Sequence, residues 1–251
     1  MSRTLAFLAA TIVTAASSAD LEAADKPVSI VLVHGAFVDA SGWQKVYDIL
    51  SEDGYEVLVV QNPTATLDGD VVVTEQVIAR AKHPVILVGH SYGGAVITEA
   101  GNDPKVQSLV YIAAFAPEAG ESVETLISEP IPGATPVPIL PTQNGFLIVD
   151  PAKFPSSFAA DVDPTITAFM AASQVPWGQQ AVGTKIRKAA WKDKPTYFMI
   201  TANDHMIPTE AQRAMAKRAK ATSVEIASSH AVMLSHPQDV ANFIESASAA
   251  M

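Results

Sequence analysis

Val85-Ile86-Leu87-Val88-Gly89-His90-Ser91-Tyr92-Gly93-Gly94-Ala95-Val96-Ile97-Thr98-Glu99-Ala100 is the stretch on which the reading of this chain turns. Its first four residues form a short apolar run, the pattern of a strand buried on both faces. Residues 94–100 are small or apolar and suit the opening turns of a helix. Between the two lies Gly89-His90-Ser91-Tyr92-Gly93, so a serine stands at the tip of a strand–turn–helix junction, the context that makes G-x-S-x-G a nucleophile elbow. So tight a turn drives backbone segments together, and a Cβ at position 89 or 93 is expected to collide with the neighbouring element.

Working outward, the same alternation of β-branched runs and helix-patterned segments recurs. Val28–Val33, Tyr55–Val60, Val106–Ile112, Thr196–Thr201 and Ser223–Ala227 read as further strands. Gly42–Glu52, Val71–Lys82, Thr209–Lys220 and Gln238–Ala249 read as helices, several with apolar residues at i, i+3 and i+4. This predicts βαβ units and a mostly parallel sheet with helices on both faces, whose ligands sit at the carboxyl ends of the strands. The pattern breaks over 117–190, where ten prolines accompany Phe146, Phe154, Phe158, Phe169 and Trp177. Proline interrupts helices and cannot donate to a ladder, so short helices and loops rather than sheet are expected here, folded as a cap over the strand ends. Phe158, Phe169, Met170 and Trp177 of the cap, with Phe37 from the core, are the candidate substrate contacts.

A serine hydroxyl attacks well only when an oriented base removes its proton. Behind an elbow of this kind the expected chain order is Ser, acid, His. His230 lies just beyond the last strand in Ser228-Ser229-His230 and is the candidate base; His236 precedes Pro237 at the start of the last helix, and His205 directly follows the acid that would have to orient it. Asp204, in the turn Ala202-Asn203-Asp204 after the preceding strand, is the candidate orienting acid; the alternative strand end supplies only Glu118. His34-Gly35-Ala36 ends the first strand at the same edge, so the backbone N–H groups of Ala36 and Tyr92 are the candidate oxyanion donors. His34, His83 and His90 read as scaffold or turn residues. No histidine pair shows metal-ligand spacing with a carboxylate, so neither a metal nor a cofactor is called for.

The 251 residues fit one large domain or two small ones, and a 49% hydrophobic composition is ample for a core. A net charge of −10 without any Lys/Arg run leaves no footprint for nucleic acid or an anionic membrane. The absence of cysteine rules out disulfides and thiolate chemistry. At the N-terminus, Arg3, the apolar run Leu5–Val13 and the small residues Ser17-Ser18-Ala19 have the order of a secretory signal peptide cleaved before Asp20. A periplasmic or secreted protein follows, with no membrane anchoring after signal removal.

Leu32-Val33-His34-Gly35-Ala36, Gly89-His90-Ser91-Tyr92-Gly93-Gly94, the Asp204 turn with Ile207-Pro208, and His230-Ala231-Val232-Met233-Leu234-Ser235-His236-Pro237-Gln238 together resemble the α/β-hydrolase superfamily. More narrowly they resemble the branch of plant methyl-ester hydrolases, hydroxynitrile lyases and bacterial carboxylesterases, including pyrethroid-type ones. The resemblance implies a core over 27–116 and 191–250, a cap over 117–190 inserted after the sixth core strand, and the residue roles assigned above. Hydroxynitrile lyases of this branch carry Thr where Ala36 stands and Lys where Ala231 stands, so cyanohydrin cleavage is disfavoured. The expected activity is hydrolysis of a small apolar carboxylic ester through an acyl-enzyme, by a monomer or homodimer. Lactone or C–C hydrolysis, perhydrolysis, or ligand binding with little turnover remain as alternatives on the same residues.

Overall fold

Six strands form one parallel sheet in the computed structural model, which describes residues 26–248 apart from 130, 132 and 134. The proposed signal peptide, residues 1–19, lies outside the described residues. The core strands are Ser29–Val33 (β1), Glu56–Val60 (β2), Val85–His90 (β3), Val106–Ile112 (β4), Thr196–Thr201 (β8) and Thr222–Ile226 (β9), in spatial order β2-β1-β3-β4-β8-β9. Three further strands, Ile139–Pro141 (β5), Phe146–Val149 (β6) and Trp177–Gly178 (β7), belong to the cap. The helices of the core are Gln44–Glu52 (α1), Leu67–Arg80 (α2), Gly93–Ala100 (α3), Thr209–Arg218 (α8), Val232–Ser235 (α9) and Pro237–Ser248 (α10). Every residue of β1, β3 and β8 is buried, as largely apolar strands between two helical layers require. α10 and α3 each lie against β3 and β4; α10 packs with α1 and α3 with α2, so the two pairs cover opposite faces. α2 starts four residues earlier than its apolar periodicity suggests. Thr66 caps it, and Asp68 and Asp70 favour its first turn by complementing the helix dipole.

The register aligns the strand ends. Val33 lies opposite Gly89, His90 opposite Ile112, Ile112 opposite Met199, and Thr201 opposite Ile226. Residues 34–37, 91–92, 113–115, 202–207 and 227–230 therefore emerge along one edge of the sheet.

The segment between β4 and β8 contains Val123–Ser128 (α4), Ile139–Pro141 (β5), Phe146–Val149 (β6), Phe154–Phe158 (α5), Pro164–Ala172 (α6), Trp177–Gly178 (β7) and Gln179–Gly183 (α7). Counted along the described chain, it follows the fourth strand rather than the sixth. The expectation of helices and loops without sheet is also corrected, because β5, β6 and β7 form an antiparallel three-stranded sheet. The prolines do not prevent it: Pro141 ends an edge strand, and Pro155 and Pro164 occupy first-turn positions of their helices.

Paired stems tie the cap down. Gly120 N–H donates to Ile186 O at 2.8 Å and Ile186 N–H to Glu121 O at 2.8 Å. Trp191 Nε1–H donates to Pro117 O at 3.0 Å, and Arg218 bridges Ala116 O and Glu121. Gly178 N–H donates to Thr64 O at 2.9 Å, in an approach so close that a Cβ on Gly178 would lie 2.1 Å from Ala65 O.

Candidate active site

Ser91 has φ 55°, a left-handed backbone that a non-glycine residue adopts at a cost of about 1–3 kcal/mol. The packing around it enforces the turn. Cβ atoms built on Gly89 or Gly93 would lie 2.6 Å from backbone oxygens, of Gly93 and Val33 respectively. One on Gly35 would lie 2.6 Å from Ser91 Cβ, so the loop after β1 rests directly on the serine. Ser91 O accepts hydrogen bonds from Gly94 N–H at 3.0 Å and Phe115 N–H at 3.1 Å.

Asp204 and His230, which the sequence places on separate strand ends, meet here. His230 Nδ1–H donates to Asp204 Oδ2 at 2.7 Å, and both side chains are fully buried. Asp204 Oδ2 also accepts from Thr201 Oγ1 at 2.8 Å and Gln212 Nε2 at 2.9 Å; Oδ1 accepts from Met206 N–H at 2.7 Å and Ile207 N–H at 2.9 Å. So many donors compensate the carboxylate for lost water. With Nδ1 donating, Nε2 carries the lone pair of the neutral ring. That nitrogen is buried and has no hydrogen-bond partner among the described residues.

His90 links this pair to the elbow. Its Nε2–H donates to His230 O at 2.9 Å, and the two rings lie 4.6 Å apart. Burial, reinforced by the nearby His230, holds the His90 imidazole well below its ordinary value. His34 is a scaffold residue: Nδ1–H donates to Gly35 O at 2.8 Å, and Nε2 accepts from Asn62 N–H at 2.8 Å. Burial lowers its pKa against the raising effect of the Gly35 carbonyl. Glu118, the alternative acid, is paired with Lys192 at 2.5 Å. His205 bonds to Ser156 O at 3.2 Å.

Ala36 is buried beside the serine, and Tyr92 begins the turn into α3. Among the described residues neither backbone N–H is donated to another backbone group.

The candidate substrate contacts divide. Phe158 is buried with its ring edge-on to His230 at 4.8 Å. Phe37 and Trp177 are buried against each other, and Trp177 also packs on the ring of Tyr92. Met170 is half-buried and shares with Phe158 a slot of about 10 Å³, too small for a ligand. Phe169 is corrected outright: it is 71% exposed on α6, because the apolar side chains of that helix point to several sides and only Thr167 is fully buried. The larger cavity, about 630 Å³, lies between the start of the cap and α8; Phe115, Leu126, Ile127, Val137, Met206 and Ile207 line it. Ser91, Asp204 and His230 do not line it; its lining meets them through backbone hydrogen bonds, of Phe115 N–H to Ser91 O and of Met206 and Ile207 N–H to Asp204.

Sequence reasoning missed three polar residues. Gln212 on α8 is fully buried and holds Asp204 while donating to Ile207 O at 2.8 Å. Asp161, from the cap, grips the loop before His230: it accepts from Ser228 Oγ at 2.9 Å, Ser229 N–H at 3.0 Å and Ser229 Oγ. Burial opposes its charge, yet the hydrogen bonds from Ser229 and Ser228 hold its carboxyl below the usual range. Asp70 on α2 is buried and accepts from Tyr92 Oη–H at 2.7 Å and Thr64 N–H at 2.9 Å. Burial raises its pKa to about 6 against those two hydrogen bonds.

The raised pKa of Asp70 has a measurable sign. The folded protein binds a proton here at pH values where the unfolded chain has released it. The associated stability is therefore full below pH 4 and is lost as pH rises through about 6. Wild-type stability minus that of Asp70→Asn, from urea denaturation, is expected to fall by on the order of 3 kcal/mol between pH 4 and 7. A difference independent of pH would refute the raised pKa.

A sheet-edge serine on a strained elbow, set with a buried His–Asp pair, defines the class of hydrolase-fold proteins. The alpha/beta hydrolase family model matches residues 30–243, and the chain belongs to that family. A carbendazim hydrolyzing esterase of Nocardioides sp. (strain SG-4G) is 38% identical over 121 residues, covering 41% of this chain and 49% of that esterase, so the match spans about half the relative's length. Methylesterase 8 of Arabidopsis thaliana is 22% identical over 205 residues, covering 74% of this chain and 75% of the relative. Among solved structures, a pyrethroid hydrolase from Sphingobium faniae JZ-2 superposes with a TM-score of 0.76 at 24% identity, covering 87% of this chain and 96% of that one.

Proposed function

We propose that this chain is an exported serine carboxylesterase that cleaves a small, apolar ester without a cofactor. Ser91 Oγ attacks the ester carbonyl while His230 Nε2 takes its proton and then gives it to the departing alcohol. Water, activated by the same nitrogen, releases the acid from the acyl-enzyme. Asp204 keeps the imidazole in the tautomer with a lone pair on Nε2 and stabilises the imidazolium. The backbone N–H groups of Ala36 and Tyr92 receive the oxyanion; one such donor typically lowers the barrier by ~3 kcal/mol.

The observation that carries this reading is the buried His230–Asp204 pair, with Nε2 unpartnered among the described residues and its ring against the residue before Ser91. The choice of an ester is supported by the names of the esterase relatives. An apolar substrate is supported by the lining of the 630 Å³ cavity, a size that suits a small organic molecule.

The test is a series of p-nitrophenyl esters of increasing acyl length, with Ser91→Ala as control. Turnover by the wild type that vanishes in the variant is expected. A protein that ignored every ester but opened lactones or cleaved a C–C bond would move the reading to those reactions, and tight binding without turnover would move it to a receptor. Export rests on Arg3, the apolar run and Ser17-Ser18-Ala19. Mass spectrometry of protein from the producing cell is expected to find a chain starting near Asp20; cytoplasmic protein retaining Met1 would contradict it.

A further inference from the structure

Asp70 takes no part in the proton transfers described above, yet it stands where the elbow, the loop after β1 and the cap converge. A buried carboxylate is costly to retain, and both donors to it, Tyr92 and Thr64, are neutral. An apolar residue could fill the space on α2, so the carboxylate calls for an account in terms of what it holds.

It holds two things. Its Oδ2 accepts the hydroxyl of Tyr92, the residue after Ser91, at 2.7 Å. Its Oδ1 accepts the N–H of Thr64 at 2.9 Å; Thr64 has φ 55° and needs such an anchor. Thr64 in turn grips the cap on both sides of Trp177: Thr64 Oγ1 donates to Pro176 O at 2.9 Å, and Thr64 O accepts Gly178 N–H at 2.9 Å. The Trp177 ring so placed packs on Tyr92 at 5.3 Å and on Phe37 at 5.5 Å. Phe37, at φ 67°, directly follows Ala36. One carboxylate thus sets the side chain of the residue bearing one candidate oxyanion donor and, through Thr64 and Trp177, the neighbour of the residue bearing the other.

We propose that Asp70 is a positioning residue of the oxyanion site, aligning the backbone donors of Tyr92 and Ala36 through the Tyr92 hydroxyl and the cap strand that carries Trp177. The proposal rests on the esterase reading above. Such alignment acts on the transition state rather than on ground-state binding, because the donors are aimed at charge that develops only during reaction.

Asp70→Asn keeps the shape of the side chain and removes its charge. With p-nitrophenyl acetate at pH 8 it is expected to lower kcat about tenfold with KM within about twofold, and to raise the Ki of an aryl trifluoromethyl ketone by about the same factor as kcat/KM falls. That ketone forms a tetrahedral adduct and so reads the oxyanion site directly. Tyr92→Phe, which leaves the carboxylate in place, is expected to lower kcat about threefold, and the double variant to be no worse than Asp70→Asn, since the two residues act through one contact. Unchanged kcat and ketone Ki in Asp70→Asn, with only the melting temperature reduced, would overturn the proposal and leave Asp70 a stabilising residue. Should Asp70→Asn fail to fold, Tyr92→Phe decides, and wild-type kcat and Ki in that variant would overturn it equally. A wild-type protein that neither turned over the ester nor bound the ketone would instead defeat the esterase reading, and this proposal with it.

Discussion

Replacing Ser91 by alanine is expected to lower kcat on a p-nitrophenyl ester by about three orders of magnitude or more, and His230→Ala to do the same. The two losses should be similar and should not add in the double variant, because the base has no other proton to take and the hydroxyl no other group to receive it. The structure sharpens this expectation. His230 Nε2 is buried without a partner among the described residues, and the neighbouring His90 is committed through its Nε2–H to the His230 carbonyl. The His90 Nδ1 lone pair is likewise buried without a partner among the described residues, but burial holds the imidazole well below its ordinary value, so His90 is a poor replacement base. KM should change little, since neither truncation touches the cavity lining. Steady-state kinetics on purified, folded variants provides the check; near-normal turnover in either would remove both residues from the mechanism.

The second large effect is expected at Asp204. Asp204→Asn conserves shape but must place an amide NH₂ where one carboxylate oxygen stood. The Oδ1 position faces the backbone N–H groups of Met206 and Ile207, which cannot rotate away. The amide oxygen must stay there, so the NH₂ falls at the Oδ2 position, facing His230 Nδ1. The imidazole then accepts at Nδ1, its proton moves to Nε2, and the lone pair needed to activate Ser91 is gone. A loss in kcat of about 10²–10³-fold is expected, somewhat less than for Ser91→Ala because the ring remains in place. The measurement is kcat across pH 6–9. Activity within about threefold of wild type would mean that the acid has been wrongly assigned, with Glu118→Gln then the variant to make; the pairing of Glu118 with Lys192 argues that it would have little effect.

Most of the fold, and the sheet edge where Ser91, Asp204 and His230 come together, were legible in the sequence, for a physical reason. Strands buried on both faces must be nearly continuous apolar runs, and β1, β3, β4 and β8 stand out in the chain as such. Ser91 and Asp204 each follow such a run within a few residues, and His230 follows the more exposed edge strand β9, so aligning strand ends in a parallel sheet brings all three to one edge before any side-chain contact is known. The glycines around Ser91 were readable because steric exclusion is local: Gly89 and Gly93 contact each other across the turn they form.

The cap was less legible. Its hairpin sheet escaped because a proline ending an edge strand has the same sequence appearance as one in a loop. Its aromatics were mis-sorted because α6 is apolar on several sides; Phe169 faces outward, while Phe158 reaches His230 and Trp177 reaches Tyr92. The cavity lining combines Leu126, Val137 and Met206, residues far apart in sequence with no shared periodicity.

By itself, then, the sequence determined the alternating α/β architecture, the strained serine turn and the sheet edge at which Ser91, Asp204 and His230 emerge, because these follow from local sterics and from the edge at which parallel strands end. Only the tertiary structure decided what holds them. Gln212 against Asp204 and Asp70 beneath Tyr92 are buried polar contacts between distant segments, and Asp161 on the loop before His230 is a part-buried one. A polar side chain carries no mark in its own sequence neighbourhood of the partner it will meet, and it is the folding of those segments together that makes the pairing and compensates its loss of water.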